Sequence, residues 1–259
     1  MLTDKGQKSV KGVVLSEEDY GDSDKIITVL CREEGKISVY CRGAKSLKSR
    51  KFSSVQLFAY SDITVTSRAG KYYFSEAELI ESFFGIREGL EAISLAMYVA
   101  EAALAVTVEN ENQDDILSLV LNTLYVIANT DKNLSLVKAV FELRLSVCLG
   151  LYPSLDACAV CEGESDFFDL DTVGGVLICS QCLMDGKGAN DGTLSGAVLV
   201  PVSTPTLSVM RFIVSAPAKK IFSFTYDGDI GELSRATEEF FIAQTERSFQ
   251  TLSFLKGVL

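Results

Sequence analysis

Lys36-Ile37-Ser38-Val39-Tyr40-Cys41-Arg42 alternates polar and apolar side chains at every step, the period of a half-buried strand. Working outward, Val10–Leu15 and Lys25–Cys31 are two more β-rich runs, separated by the acidic turn Glu17–Asp24. Arg32-Glu33-Glu34-Gly35 joins the second run to the quoted one. Val55–Ser67 and Lys71–Glu78 flank Arg68-Ala69-Gly70, a hairpin turn. Five short strands in about 80 residues predict a small barrel; an OB-fold is the natural five-stranded candidate, and an SH3-like barrel satisfies the same pattern.

From about Ile86 the period becomes helical. Leu90, Ile93, Met97, Ala100 and Leu104 recur at spacings of three and four, with Glu91, Ser94 and Glu101 off that stripe. A second helix is expected over Asp114–Ala128, its two aspartates suited to the positive N-terminal end. The third, Leu134–Leu149, has one narrow polar face (Ser135, Lys138, Glu142, Ser146) and is expected to be mostly buried. Thr204-Pro205 opens a short helix to about Ser215, and a last helix runs from about Ile230 to Phe254. The predicted class is α+β: a five-stranded barrel over residues 1–80, then a helical domain over 81–259 with a cysteine-bearing insertion at about 156–192.

The bulk numbers narrow the function. With 47% hydrophobic residues the 259-residue chain can bury a sizeable core. Mean hydropathy is +0.23, but the longest apolar run, near Leu95–Val108, is interrupted by Glu101. It falls short of the roughly 18–20 residues a membrane span needs, so a core helix is expected instead. The first residues lack the apolar stretch of a secretory signal, so a cytoplasmic, membrane-free protein is expected. Histidine is absent, which removes histidine-dependent acid–base and nucleophilic catalysis and mixed histidine metal sites. Net charge is −11 but unevenly placed: residues 1–80 carry 13 basic and 11 acidic side chains, the remainder 11 and 24.

Cys158-Ala-Val-Cys161 and Cys179-Ser-Gln-Cys182 stand 17 residues apart. Two residues between cysteines let both thiolates of a knuckle face one ion, and two knuckles complete a tetrahedron. Four thiolates leave no open position for water, so the expected zinc ion is structural. Four free buried cysteines is the plain alternative. A redox pair is disfavoured because neither motif reads as the start of a helix after a strand. Cys31, Cys41 and Cys148 fall in strand or helix patterns and read as core.

Arg42, Lys45, Lys48, Arg50 and Lys51 form a basic run with no acid among them, in a connection between barrel strands. Small barrels bind single strands through a basic groove and stacked aromatics. Tyr40, Phe52 and Tyr60 lie near the run, which would otherwise be a solvated loop. Arg144 projects away from the polar face of its helix, along Val137, Val140, Phe141 and Cys148. A guanidinium there needs an internal carboxylate, loop carbonyls, or the acidic end of a partner peptide.

The strings KGVVLSEEDYGDSDKIITVLCREEGKISVYCRGAKSLKSRKF and FELRLSVCLGLYPSLDACAVC resemble the bacterial RecO family of DNA repair proteins. The first carries strand, acidic Tyr-Gly turn, strand, Gly-Lys hairpin and basic Gly-containing loop. The second ends a helix in Leu-Gly-x-x-Pro before the cysteines. The resemblance implies an OB-fold, a helical domain and a zinc insertion. It also implies a non-enzymatic mediator that binds single- and double-stranded DNA, anneals strands, and works with RecR and the SSB C-terminal tail to load RecA on gaps. By position it makes Lys36, Arg42, Lys45, Lys48, Arg50 and Lys51 DNA contacts, and Cys158, Cys161, Cys179 and Cys182 zinc ligands. Arg144 is the candidate for the SSB tail, and association with the nucleoid is expected. The isoelectric point near 4.6 favours recruitment through a partner, and a protein-only adaptor is the main alternative. A carboxylate nuclease finds no D-x-D or E-x-K cluster in a recognisable site.

Overall fold

The computed structural model describes residues 6–45, 53–187, 196 and 198–259. They form two compact units, residues 1–130 with 251–258 and residues 131–250 with 259. The sequence reading placed its boundary at the change of period near residue 80; packing groups the first two helices with the barrel.

The first unit is built on a closed barrel of β1 (Gln7–Tyr20), β2 (Asp24–Cys31), β3 (Gly35–Cys41), β4 (Tyr60–Arg68) and β5 (Lys71–Glu81), in the order β1-β2-β3-β5-β4. This is the OB-fold. Strand β1 closes the barrel because it is long enough to serve two neighbours: Gln7–Val13 pair with β4 and Gly12–Tyr20 with β2. A register shift between Val14 and Ser16 bends it between those duties. Gly12 sits where a Cβ would meet Val29 at 2.5 Å, so only glycine lets the strands approach so closely. The seam is parallel, Val39 beside Tyr72 and Tyr40 beside Tyr73.

Alternation in β3 holds as read. Ile37, Val39 and Cys41 are buried in the barrel core with Val14, Ile27, Val29, Ile63 and Val65, while Ser38 and Arg42 are exposed. Cys31 and Cys41 belong to this core. Helices α1 (Leu90–Val106) and α2 (Asp114–Asn129) complete the unit with α7 (Gln250–Val258). The α1–α2 connection docks on the β2–β3 hairpin through backbone bonds such as Asn110 N–H to the Glu34 carbonyl, 2.8 Å. Gly35, at φ +64°, makes room, since a Cβ there would lie 2.1 Å from the Val108 carbonyl oxygen. The face α1 buries differs from the stripe read in the sequence. Leu95, Tyr98, Val99, Ala102 and Ala103 are buried, while Leu90 and Met97 are exposed. The helix is apolar nearly all round, so more than one stripe fits its sequence and the spacing alone does not choose the buried one.

The second unit begins with α3 (Leu134–Cys148), capped by the Asn133 side chain. Its supposed polar face is buried: Lys138 is 2% exposed, Glu142 and Ser146 0%. Helix α6 (Ile230–Thr245) packs against α3, and Lys138 Nζ bridges Glu142 (2.9 Å) and Glu238 (2.8 Å). Thr237 donates to Glu142 at 3.1 Å. Burial disfavours the charged lysine, but the two carboxylates outweigh it and raise its pKa.

The cysteine segment, read as an irregular insertion, is organised by a four-stranded sheet. Its strands are β6 (Ser154–Cys158), β7 (Phe167–Asp171), β8 (Val176–Cys179) and β9 (Leu199–Ser203), ordered β6-β8-β7-β9. Short helix α4 (Ser180–Met184) follows β8, and α5 (Thr204–Ser215) follows β9. The single last helix expected over 230–254 is two. Glu246, at φ 53°, ends α6 in a left-handed turn before α7 starts at Gln250. No helix among the described residues is long and apolar enough to cross a membrane.

Candidate nucleic-acid interface and metal centre

The outer side chains of β3 meet those of β5 across the parallel seam. Tyr40 and Tyr73 have ring centroids 5.4 Å apart, and Tyr20, at the end of β1, meets Tyr40 edge-on at 5.8 Å. Two cations flank this row: Arg42 lies 5.8 Å from the Tyr73 ring and Lys71 Nζ 5.3 Å from Tyr40, both within cation–π range. The surface therefore combines flat apolar rings with positive charge, the composition that stacked bases and phosphates need.

Beyond Arg42 the chain turns through Gly43, at φ +66°, and is fastened to the β1–β2 hairpin. Gly43 N–H donates to Asp24 Oδ1 at 2.8 Å, and Lys45 N–H to the Ser23 carbonyl at 3.1 Å. The Gly43 bond, with the Ser23 hydroxyl and the charges of Arg42 and Lys45, holds the Asp24 carboxyl below its ordinary range. Lys45 Nζ donates to the Gly21 carbonyl at 2.8 Å and pairs with Asp19 at 3.2 Å.

Of the six DNA-contact candidates, the structure brings Arg42 and Lys45 together at one end of β3. Lys36 stands at the other end, its ammonium donating to the Leu104 carbonyl near the C-terminal end of α1 at 3.0 Å. Lys48, Arg50 and Lys51, like Phe52, lie outside the described residues. Tyr60 lies on β4, opposite Val13 of β1. Tyr20, Tyr73 and Lys71 were missed. Nothing in the linear sequence marks them, because the barrel seam and hairpin alone bring them to Tyr40.

The second constellation is the four cysteines. Each Sγ of Cys158, Cys161, Cys179 and Cys182 lies within 4.8 Å of the others, and Cys161 and Cys179 are 3.8 Å apart. A metal at about 2.3 Å from four thiolates puts them about 3.8 Å from one another, so the set fits a tetrahedral ion. Backbone N–H groups point at the sulfurs: Cys179 donates to Cys158 at 3.3 Å and Cys182 to Cys179 at 3.5 Å. Burial pushes the Cys158 thiol up, but bonds from the N–H groups of Cys179, Cys161 and Val160 outweigh it and bring it to about 6. Contrary to the sequence reading, the second motif does follow a strand and open a short helix. Convergence of all four sulfurs is what separates it from a dithiol redox pair.

Arg144 reaches neither constellation. Its guanidinium donates to the carbonyls of Ile213 (3.2 Å) and Val214 (2.9 Å) in the last turn of α5, a cation at the negative end of a helix.

Comparison with known proteins agrees with this architecture. The family model described as Recombination protein O N terminal matches residues 6–83, and that described as Recombination protein O C terminal matches 87–253. A protein of Symbiobacterium thermophilum named DNA repair protein RecO is 30% identical over 253 residues, 95% of this chain and 96% of its own. One of the same name from Acetivibrio thermocellus is 29% identical over 249 residues, 95% and 94% of the two chains. A Listeria monocytogenes protein, also so named, is 33% identical over 172 residues, 66% and 67% of the two. With an OB barrel at its head, a four-cysteine cluster in its second unit and both family models covering it almost end to end, this chain belongs to the RecO family.

Proposed function

We propose that this protein is a non-enzymatic DNA repair and recombination mediator that binds single-stranded DNA across the outer face of β3 and β5. The observation that carries the reading is the tyrosine row Tyr20–Tyr40–Tyr73 flanked by Arg42 and Lys71. Bases stack on the rings whatever their identity, while phosphates meet Arg42, Lys45 and the basic residues Lys48, Arg50 and Lys51 that follow in sequence. Binding two complementary strands in this sequence-tolerant way promotes their annealing. Family membership supports the wider role, in which the protein acts with RecR to help load RecA on SSB-coated gaps. The four cysteines hold one zinc ion, whose part is structural: it fixes the ends of β6 and β8 and the start of α4. Arg144 is the candidate for an acidic SSB tail; one of its terminal nitrogens is already spent on α5.

A protein-only adaptor is the second reading, favoured by the net charge of −11. Titrating a fluorescent oligo-dT, with and without RecR, separates the two. Tyr40→Ala should weaken binding by about 1–3 kcal/mol, the worth of one stacked base. Wild-type affinity should fall with salt at a logarithmic slope near −0.7 per phosphate contact. An absence of binding under both conditions sinks the mediator reading, and cleavage of the strand with divalent metal would make the protein an enzyme.

A further inference from the structure

The same face that presents cations to a strand also carries its own anions. The β1–β2 hairpin holds Glu17, Glu18, Asp19, Asp22 and Asp24 within eight consecutive positions. Its tip is tied to the basic turn by the Gly43–Asp24 and Lys45–Ser23 bonds and to the tyrosine row through Tyr20. Lys45 is the first basic residue after Arg42 in this turn, and two of the three N–H groups of its ammonium are engaged: Asp19 takes one at 3.2 Å and the Gly21 carbonyl another at 2.8 Å. Only 25% of the Lys45 side chain is exposed, against 70% for Asp19.

We propose that the hairpin tip is a resident competitor for the nucleic-acid face, with Asp19 occupying on Lys45 the place that a backbone phosphate would take. This rests on the reading that the face binds DNA. A carboxylate and a phosphate oxygen make the same charge-assisted bond to an ammonium, so the two compete for its charge. A strand that takes the place of Asp19 on Lys45 frees that carboxylate, whose charge then recruits a counterion from solution. The entropy gained by stripping a counterion from the phosphate is thereby returned at Asp19. Lys45 thus adds little to affinity or to salt dependence while the hairpin is in place. An exposed ion pair is weak enough for dense phosphate to displace it. The arrangement therefore sets a threshold: brief or sparse contact with phosphate leaves the pair closed, and an extended strand already stacked on the tyrosines opens it.

The test compares two isosteric variants of equal charge change, Asp19→Asn and Glu18→Gln, on neighbouring positions of β1 that face opposite ways. Glu18 stands opposite Ile26, itself opposite Tyr40, on the side of the tyrosine row, so Glu18→Gln relieves at least as much general repulsion; only Asp19→Asn frees Lys45. Oligo-dT affinity is measured over a salt series. Asp19→Asn should tighten binding about three- to tenfold more than Glu18→Gln at low salt, with the logarithmic salt slope steeper by about 0.7, one further phosphate contact. In a Lys45→Gln background the difference between the two variants should vanish. Equal effects of the two variants, or weaker binding by Asp19→Asn, would overturn the proposal, the latter by showing that Asp19 positions Lys45 for DNA. Should Tyr40→Ala bind as tightly as wild type, the DNA face itself is wrongly placed. That result is distinct from a working face with no gate, in which Tyr40→Ala weakens binding and the two acidic variants agree.

Discussion

The two compact units bury opposite kinds of chemistry. The barrel of the first is closed around Val, Ile and Cys side chains and meets its backbone bonds in the sheet. The second buries a lysine with two glutamates between α3 and α6, and arranges four thiols at the head of a sheet whose strands are four or five residues long. Apolar packing is graded: each lost methylene costs a little, and neighbours partly relax. Ion clusters and metal sites are not graded, because removing one member leaves its partners unmatched in a place where water cannot help. The two units should therefore fail in different ways.

The largest difference is expected at the cysteines. Metal coordination supplies on the order of 10 kcal/mol in small zinc domains, more than strands this short can offer. Replacing Cys179 by Ser, or stripping the metal with a strong chelator, should abolish hydrogen-exchange protection of β6–β9 and leave that of β1–β5 unchanged. Metal analysis should give one zinc per chain; a chain purified without chelators that holds far less would break the comparison on its metal side.

Next in size is the buried triad. Lys138→Met leaves Glu142 and Glu238 facing each other without their cation and should cost about 3–5 kcal/mol at neutral pH. Urea unfolding monitored in the second unit measures it. The folded pKa of Lys138 is raised above its ordinary 10.5. The stability its charge confers is thus fully present below about pH 10.5 and is lost as pH rises through the higher folded value. In the variant the loss should shrink at low pH, where carboxylates facing each other without a cation between them take up protons. A cost that is flat between pH 4 and 8 would show that the cluster behaves like ordinary packing.

The smallest effect belongs to the barrel. Ile63 is fully buried, and Ile63→Val should cost only about 0.5–1.5 kcal/mol, with zinc content and oligonucleotide binding unchanged. An effect as large as that of Lys138→Met would mean that the barrel core is as intolerant as the ion cluster.

How much of this was legible follows the range of the interactions. The barrel was readable because alternation in 36–42 is a local signal, repeated in five runs bounded by turns. The four-cysteine cluster was readable because cysteine spacing within a knuckle is local too. The sheet that carries it was not, since its strands are too short to show a period and exist through pairing with one another. Lys138 and Glu142 read only as a narrow polar face because i and i+4 polar residues have the same spacing wet or dry; only Glu238 and Thr237, far along the chain, reveal what they pair with. The tyrosine row needed the register of a parallel seam, and the link between acidic tip and basic turn joins positions 24 residues apart. Such couplings leave no mark on either segment alone.

The return of α7 to the first unit bears on how the chain is made. Thr251 N–H donates to Glu101 at 2.9 Å, across 150 residues of sequence. A ribosome adding roughly 5–20 residues per second needs many seconds to go from one to the other. The barrel strands and helices α1 and α2 emerge early and can pair at once, but the helical layer stays incomplete until α7 has been made. During that interval the nascent first unit lacks the apolar cover that Leu252 and Leu255, both buried, supply once α7 has docked.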